Sequence, residues 1–361
     1  MPGGDGSTVV PVIVESAVGP SVGSPLRPWL FRPVRVERVV PETADAVTLV
    51  LDVSDHSRAF RYEAGQFVTL RVTLDGEALY RSYSMSSSPV VDDDVRITVK
   101  RVPGGRVSNW LIDDIRLGDA LDVSPPSGRF VLAGDGDVVA FAAGSGITPV
   151  FSILKTALRA ADRRVRLLYA NRDEDTAIFR DELHAIAARH ADRFVVQHHR
   201  DIDHGFVTPD VVAAFVADAA EDAHHYVCGP AGFIGVVEGA LWAGGVGDRV
   251  HVERFSGTDD EPPAPARATA PAGELTITCN KRTVTVQHRP GTTILQAARA
   301  AGLRPPSSCE TGSCATCMAT VVEGDVETGH NEVLTADEVA DGWVLTCQAV
   351  PASAAVRVVY E

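Results

Sequence analysis

The chain has 361 residues, which at roughly 150 residues per domain predicts two to three domains. Its composition is ordinary globular, 45% hydrophobic and 22% charged, but 48 acidic residues against 33 Lys and Arg leave a net charge of −15. That acidity argues against nucleic acid or an anionic membrane surface as partner.

Residues 1–29 are rich in Gly, Pro, Ser and Val without periodicity and read as a disordered tail. They lack the basic and apolar blocks of a secretory signal. Over 30–134 the pattern is β. Val34 and Val36, then Val47, Leu49 and Leu51, then Phe67, Thr69 and Arg71, then Val95, Ile97 and Val99 alternate with their neighbours. Turns at Asp75-Gly76, Pro103-Gly104-Gly105 and Leu117-Gly118 separate these runs. The pattern predicts an antiparallel β-barrel interrupted by one helix over 107–115. Over 135–256 strands at 138–143, 165–170, 194–198 and 225–227 alternate with helices at 150–161, 176–188 and 209–219. Such alternation predicts an open α/β domain with a parallel sheet. Residues 257–273 are Pro- and Ala-rich and read as a semi-stiff linker. Residues 274–361 read as an α+β unit, with a hairpin of 275–278 and 283–286 around Asn280-Lys281 and a helix over 294–301. No apolar run approaches the ~20 residues of a spanning helix. A cytoplasmic, monomeric protein is expected.

Six cysteines are present, too few and too localised for a secreted disulfide scaffold. Cys309, Cys314 and Cys317 read C-x4-C-x2-C, and 29 residues separate Cys317 from Cys347. This is the plant-type [2Fe–2S] spacing. Gly312 lets the loop turn without a Cβ clash. A structural zinc site or unrelated thiols are the alternatives, but zinc motifs usually pair two short knuckles. Cys228 and Cys279 lie outside the spacing, and Cys279 reads as an inert strand residue.

Arg81-Ser82-Tyr83-Ser84 opens a strand of the barrel region. A flavin site needs a flat aromatic, a hydroxyl near N5 and a cation for the pyrophosphate, which Tyr83, Ser84 and Arg81 supply. Strand alternation puts Arg81 and Tyr83 on one face. The alternative is a polar strand with a solvated Arg and a core Tyr. Gly104-Gly105-Arg106-Val107-Ser108 precedes a helix, where free N–H groups favour phosphate. Ser108 alone would equally be an N-cap. Gly144-Ser145-Gly146-Ile147-Thr148-Pro149 joins the first parallel strand to a helix and reads as a pyrophosphate turn or a plain strand–helix turn. Asn171 and Arg172 end the second strand, where an adenosine ribose is read. The acids Asp173, Glu174 and Asp175 beside Arg172 oppose a 2′-phosphate, which favours NADH over NADPH.

Taken in order, these motifs resemble the ferredoxin–NADP reductase superfamily, and residues 274–361 resemble plant-type β-grasp ferredoxins. Gly65-Gln66-Phe67, Ser127-Gly128-Arg129-Phe130 and the terminal Leu345-Thr346-Cys347-Gln348 belong to the likeness. The resemblance implies FAD at Arg81, Tyr83, Ser84, Lys100, Gly105, Arg106, Val107 and Ser108. It implies the nicotinamide donor at Gly144, Gly146, Ile147, Thr148, Pro149, Asn171, Arg172, Cys228, Gly229 and Pro230, with Phe255 shielding the flavin. Ser84, Thr148 and Cys228 would surround hydride transfer, with no acid or base residue required. Cys309, Cys314, Cys317 and Cys347 would hold the cluster.

The module order is similar to reductases that feed bacterial oxygenases, most of all those serving Rieske-type 3-ketosteroid 9α-hydroxylases. A diiron oxygenase such as a phenylacetyl-CoA epoxidase is the alternative acceptor, and a non-catalytic redox carrier or sensor a further one. Glu323, Asp325, Glu327, Glu332, Asp337, Glu338 and Asp341 form a run without Lys or Arg. It reads either as a solvated face or as a surface steering a basic oxygenase patch.

Overall fold

The computed structural model describes residues 31–159, 163–255, 273–331 and 333–360. The tail expected over 1–29 lies outside the described residues. So does the expected linker up to residue 272, whereas Gly273 already pairs with His288. The described residues form two compact units, one of Phe31–Asp75 with Tyr83–Phe255, the other of Gly76–Ser82 with the C-terminal module.

The first module is built from β1 (Arg32–Thr43), β2 (Ala46–Asp52), β3 (Phe67–Leu74), β4 (Glu77–Ser84), β5 (Val95–Lys100) and β6 (Ala120–Val123), with helix α1 (Arg106–Asp113) after β5. The sheet order is β4-β3-β6-β1-β2-β5. The two end strands meet just past β4, where Met85 bridges Ile97 and Ser86 N–H donates to Arg96 O at 2.8 Å. This closes the expected barrel and removes its edges. Strand β3 differs from the expected alternation. Phe67 and Thr69 are buried, but so are Val68, Leu70 and Val72 between and beyond them, while Arg71 is exposed. A strand covered on both faces buries consecutive residues, so alternation alone misplaces its core side.

The second module runs β7 (Val138–Ala143), α2 (Ile147–Ala157), β8 (Val165–Asn171), α3 (Arg180–Arg189), β9 (Phe194–Arg200), α4 (Asp201–His204), α5 (Pro209–Val216), β10 (His224–Gly229), α6 (Ala231–Ala243) and β11 (Val250–Arg254). All pairings are parallel, in the order β11-β10-β7-β8-β9. Helix α3 starts four residues later than 176. Asp173 and Thr176 close a side-chain turn, and Phe179 takes a left-handed φ of 59°, so the helix nucleates only at Arg180. Helix α5 starts where predicted because Thr208 caps Val211 N–H and Pro209 suits the first turn.

The C-terminal module contains β12 (Gly273–Cys279), β13 (Arg282–His288), α7 (Ile294–Ala300), β14 (Met318–Glu323), β15 (Val326–Thr328), α8 (Ala336–Ala340), β16 (Trp343–Leu345), β17 (Ala349–Pro351) and β18 (Ala355–Val359). Asn280 and Lys281 both have positive φ, the two-residue turn that matches hairpin twist. Thr293 and Gln296 form a capping box that starts α7. The mixed sheet β13-β12-β18-β14-β16, with β12 and β18 parallel, packs against α7. In the same unit Arg304 lies 2.8 Å from Glu77, and Ser82 Oγ lies 3.0 Å from Ser308 Oγ. These strand–loop contacts have no signature in the sequence.

Candidate functional site

The cysteine loop joins α7 to β14, and all four spaced thiols are buried. Glu310 and Ala315, each directly after a cysteine, have φ of 56° and 57°. Non-glycine residues hold this conformation only when their surroundings fix it. At Glu310, Arg299 does so by donating to Ser307 Oγ at 2.8 Å and to Glu310 Oε1 at 2.5 Å, and Gln348 Nε2 donates to Glu310 O at 2.8 Å. A Cβ on Gly312 would stand 2.3 Å from His330 O, so only glycine fits. The turned backbone aims N–H groups at sulfur: Cys309 N–H at Cys314 Sγ and Ser313 N–H at Cys309 Sγ, both at 3.3 Å.

Cys309 hydrogen-bonds Cys314, which holds the Cys309 thiol below its usual range, and Cys347 is pushed up by its bond with Cys317 and by burial. Among the described residues, no three His, Cys, Asp or Glu side chains are placed to hold one metal ion. Four buried thiols at the C-x4-C-x2-C and C-x29-C spacing suit a [2Fe–2S] site better than the paired short knuckles of structural zinc. Cys279 is buried at the end of β12, in keeping with an inert strand residue.

In the barrel module, three stretches distant in sequence meet. Phe67 and Ser127 exchange backbone bonds of 2.8 and 2.9 Å, Gln66 Nε2 donates to Gly128 O at 3.1 Å, and Met85 N–H donates to Gln66 O at 2.9 Å. Arg81 is exposed, Tyr83 is half-buried and Ser84 is buried. An exposed cation, a half-covered ring and a recessed hydroxyl are the groups a flavin needs. Gly105 is the N-cap of α1 and offers no side chain to the helix N–H groups that follow. Ser108 is not the cap: its hydroxyl accepts from Val102 N–H at 3.2 Å and shapes the turn from inside the helix. Val107 is buried, and Arg106 reaches Leu74 O and Asp75, each at 3.2 Å.

Lys100 ends β5 with its ammonium 3.7 Å from where a Cβ on Gly144 would stand. A barrel cation thus adjoins the first turn of the nicotinamide module. Gly144 has a φ of 54°, and its carbonyl accepts from Tyr169 OH at 3.2 Å. A Cβ on Gly146 would sit 2.2 Å from Cys228 O, so this glycine lets the turn close on β10. The space on the Cβ side of Gly146 is occupied by the backbone of Cys228 and Gly229. Ile147, Thr148 and Pro149 are buried in the first turn of α2, with Thr148 Oγ1 donating to Ser145 O at 3.0 Å. Ser152 of α2 donates to Ser87 O at 2.6 Å, tying this helix to the segment that follows Ser84. Cys228 is fully buried and its thiol pushed well up by burial, so at the turn it presents backbone. Gly229 and Pro230 lead into α6, and Phe255 is 40% exposed after β11.

At the carboxyl ends of β8 and β9 lies a cavity of about 310 Å³ whose lining includes Asn171, Asp173, Glu174, Arg180, His198 and Arg200. Both side-chain amide atoms of Asn171 are buried without a hydrogen-bond partner. Such atoms cost free energy unless a ligand satisfies them. The cations around this cavity already have acids: Arg172 pairs with Asp173 at 2.9 Å, Arg180 with Asp181 at 3.1 Å and Arg200 with Asp203 at 2.6 Å.

Fold and site together define an oxidoreductase with flavin, nicotinamide and [2Fe–2S] modules in one chain. The oxidoreductase FAD-binding domain family matches residues 33–132, the oxidoreductase NAD-binding domain family 141–239, and the 2Fe-2S iron-sulfur cluster binding domain family 277–352. The ferredoxin reductase component of 3-ketosteroid-9-alpha-monooxygenase from Rhodococcus rhodochrous is 39% identical, covering 88% of this chain and 93% of that protein. A component of the 1,2-phenylacetyl-CoA epoxidase of Escherichia coli is 32% identical, covering 92% of this chain and 98% of that protein. Among solved structures, phthalate dioxygenase reductase aligns over 91% of this chain and 98% of its own, at 27% identity and a TM-score of 0.60. The chain belongs to the family of flavin- and iron–sulfur-dependent reductase components of oxygenases. Its cofactors are FAD, NAD(H) and a [2Fe–2S] cluster. No helix among the described residues is long and apolar enough to cross a membrane.

Proposed function

We propose that this chain is the NADH-dependent reductase of a Rieske-type 3-ketosteroid 9α-hydroxylase, working as a monomer in the cytoplasm. The observation that carries the electron-transfer reading is the junction inside one compact unit where Lys100 of the barrel adjoins Gly144 and Gly146 closes on Cys228. Bound flavin supplies the conversion between a two-electron hydride donor and a one-electron cluster. The protein's part is orientation and electrostatics. Tyr83 would hold the flavin ring, Ser84 would offer its hydroxyl, and Arg81 and Lys100 would balance phosphate charge. The N–H groups opening α1 add to that balance. Cys309, Cys314, Cys317 and Cys347 hold the cluster, and no side chain acts as acid or base.

NADH is the donor. Asn171 offers its unpartnered amide to the ribose, while Arg172, Arg180 and Arg200 are each neutralised by a neighbouring acid and leave no net positive charge for a 2′-phosphate. The steroid oxygenase is favoured as acceptor because relatives with that role share more of the sequence, 39% against 32% for the epoxidase component.

Anaerobic titration with NADH and with NADPH, followed by visible and EPR spectroscopy, tests the reading. NADH should bleach the flavin and reduce the cluster within the mixing time, and NADPH should do so far more slowly. Equal rates would overturn the donor assignment. Reconstitution with a steroid oxygenase and with a diiron epoxidase tests the acceptor, and faster turnover with the latter would reverse that choice.

A further inference from the structure

The C-terminal module contains a buried chain of polar groups that runs from the end of β18 to Cys317 and Cys347. Tyr360 follows β18, and its backbone N–H donates to Thr278 O at 2.8 Å, which fixes the residue to the edge of β12. Its phenol is buried, and the hydroxyl donates to Thr346 Oγ1 at 2.9 Å. Thr346 is completely buried, and its own hydroxyl donates to Cys317 O at 2.6 Å. The Thr346 N–H points at the same carbonyl at 3.2 Å, while Thr346 O accepts from Leu295 N–H of α7 at 2.9 Å. Every polar group of Thr346 is therefore engaged. Thr346 directly precedes Cys347, so the chain fixes the backbone at both Cys317 and Cys347.

We propose that Tyr360 is a positioning residue for the iron–sulfur cluster, acting through Thr346 on the Cys317–Cys347 ligand pair. This rests on the assignment of those cysteines as ligands. The direction of the effect follows from the dipoles. Each hydroxyl points its proton along the chain toward the Cys317 carbonyl, and bonds in series strengthen one another in a low-dielectric interior. Their positive ends offset the negative carbonyl beside a ligand sulfur and so favour the reduced, more negative cluster. Hydrogen bonding around ligands sets cluster potential and ligand orientation in this way. Removing the phenol hydroxyl leaves no buried donor without an acceptor, because Thr346 keeps its bond to Cys317. The fold should therefore tolerate Tyr360→Phe better than Thr346→Val, which orphans the phenol.

The experiment uses the full-length holoprotein. The visible and EPR spectra of the parent check the ligand assignment by themselves; a parent without a [2Fe–2S] signal would sink that reading before the variants are compared. Tyr360→Phe should lower the cluster midpoint potential by a threefold to tenfold change in the electron-sharing equilibrium, where tenfold is ~59 mV for one electron. It should also alter the EPR rhombicity and release iron to a chelator several-fold faster. Thr346→Ser should match the parent, and Thr346→Val should exceed Tyr360→Phe. Val358→Ala, a core truncation in β18 away from the hydroxyl chain, is the control for stability alone. Unchanged potential and EPR in Tyr360→Phe, or equal changes in Val358→Ala, would overturn the proposal. If Tyr360→Phe does not fold, the Thr346→Ser and Thr346→Val pair decides: equal potentials in those two would overturn it as well.

Discussion

The cysteine loop and the nicotinamide turn use unusual backbone to opposite ends. In the loop, left-handed Glu310 and Ala315 turn the chain at the residues directly after Cys309 and Cys314, and all four spaced thiols are buried. In the turn, Gly144 supplies a left-handed φ of 54°, and Gly146 keeps a side chain away so that backbone can meet backbone, with the Cys228 carbonyl against it. Loop chemistry is therefore carried by side chains and should fail one residue at a time. Turn chemistry is carried by packing, so a change there should damage the domain before it alters the reaction.

The sharpest way to break this contrast is Cys314→Ser. It should abolish the [2Fe–2S] spectrum while the flavin still passes electrons from NADH to a dye. A full cluster spectrum in that variant would remove the ligand assignment. Next comes Gly146→Ala, whose Cβ would stand 2.2 Å from Cys228 O. Backbone cannot yield as a side chain can, so a loss of about 2–4 kcal/mol is expected, read as a fall in the melting temperature of the flavin–nicotinamide unit. A parent-like melting curve would mean that the turn has room to spare. Tyr83→Ala should weaken FAD retention by about tenfold, or ~1.4 kcal/mol, measured by flavin release on dilution.

A pH series sharpens the comparison from the packing side. Burial lowers His225 to about 4 in the parallel sheet, so the neutral form is the folded one. Its contribution is complete above 6.5 and is lost as pH falls through about 4. Glu42 runs the other way. Burial raises it to about 7, against a hydrogen bond from Thr48 Oγ1 at 2.6 Å. Folding then becomes less favourable as pH rises from 4.5 to about 7. The two slopes oppose each other between 4.5 and 6.5, each worth at most about 3 kcal/mol. Glu42→Gln should therefore make stability rise more steeply with pH in that window than it does in the parent, measured by denaturation at a series of pH values. The smallest expected effect concerns the acidic run. Electron transfer to an oxygenase should slow several-fold between low and moderate salt if that face steers docking. A flat rate would leave it a solvated face. Its members are not equivalent: Glu323 faces Arg357 at 3.6 Å, Glu338 is spent on the capping box of α8, and Glu332 lies outside the described residues.

Much of the architecture was legible because it depends on local pattern. Val138–Ala143 is a continuous apolar run and is a buried parallel strand; Asn280-Lys281 is a tight hairpin turn; the helix expected over 294–301 forms over Ile294–Ala300. The late start of α3 was not legible, because a helical pattern over 176–179 does not reveal that Phe179 will adopt positive φ. The core face of β3 was missed for a related reason: barrel closure covers both sides of the strand, and alternation carries no information about that.

The cofactor classes and their order along the chain were written in the residues themselves. Ligand spacing, glycine turns and the R-x-Y-S stretch are short-range requirements of iron, phosphate and flavin, and short-range requirements leave a local record. Which groups hold those motifs in place emerged from the folded chain alone. Folding buried the four spaced thiols, set Gly146 against Cys228, brought Lys100 to Gly144, and ran Tyr360 through Thr346 to Cys317. Most of these contacts join residues far apart along the chain. Their energy comes from burial and hydrogen bonding in a closed interior, which no window of the sequence contains.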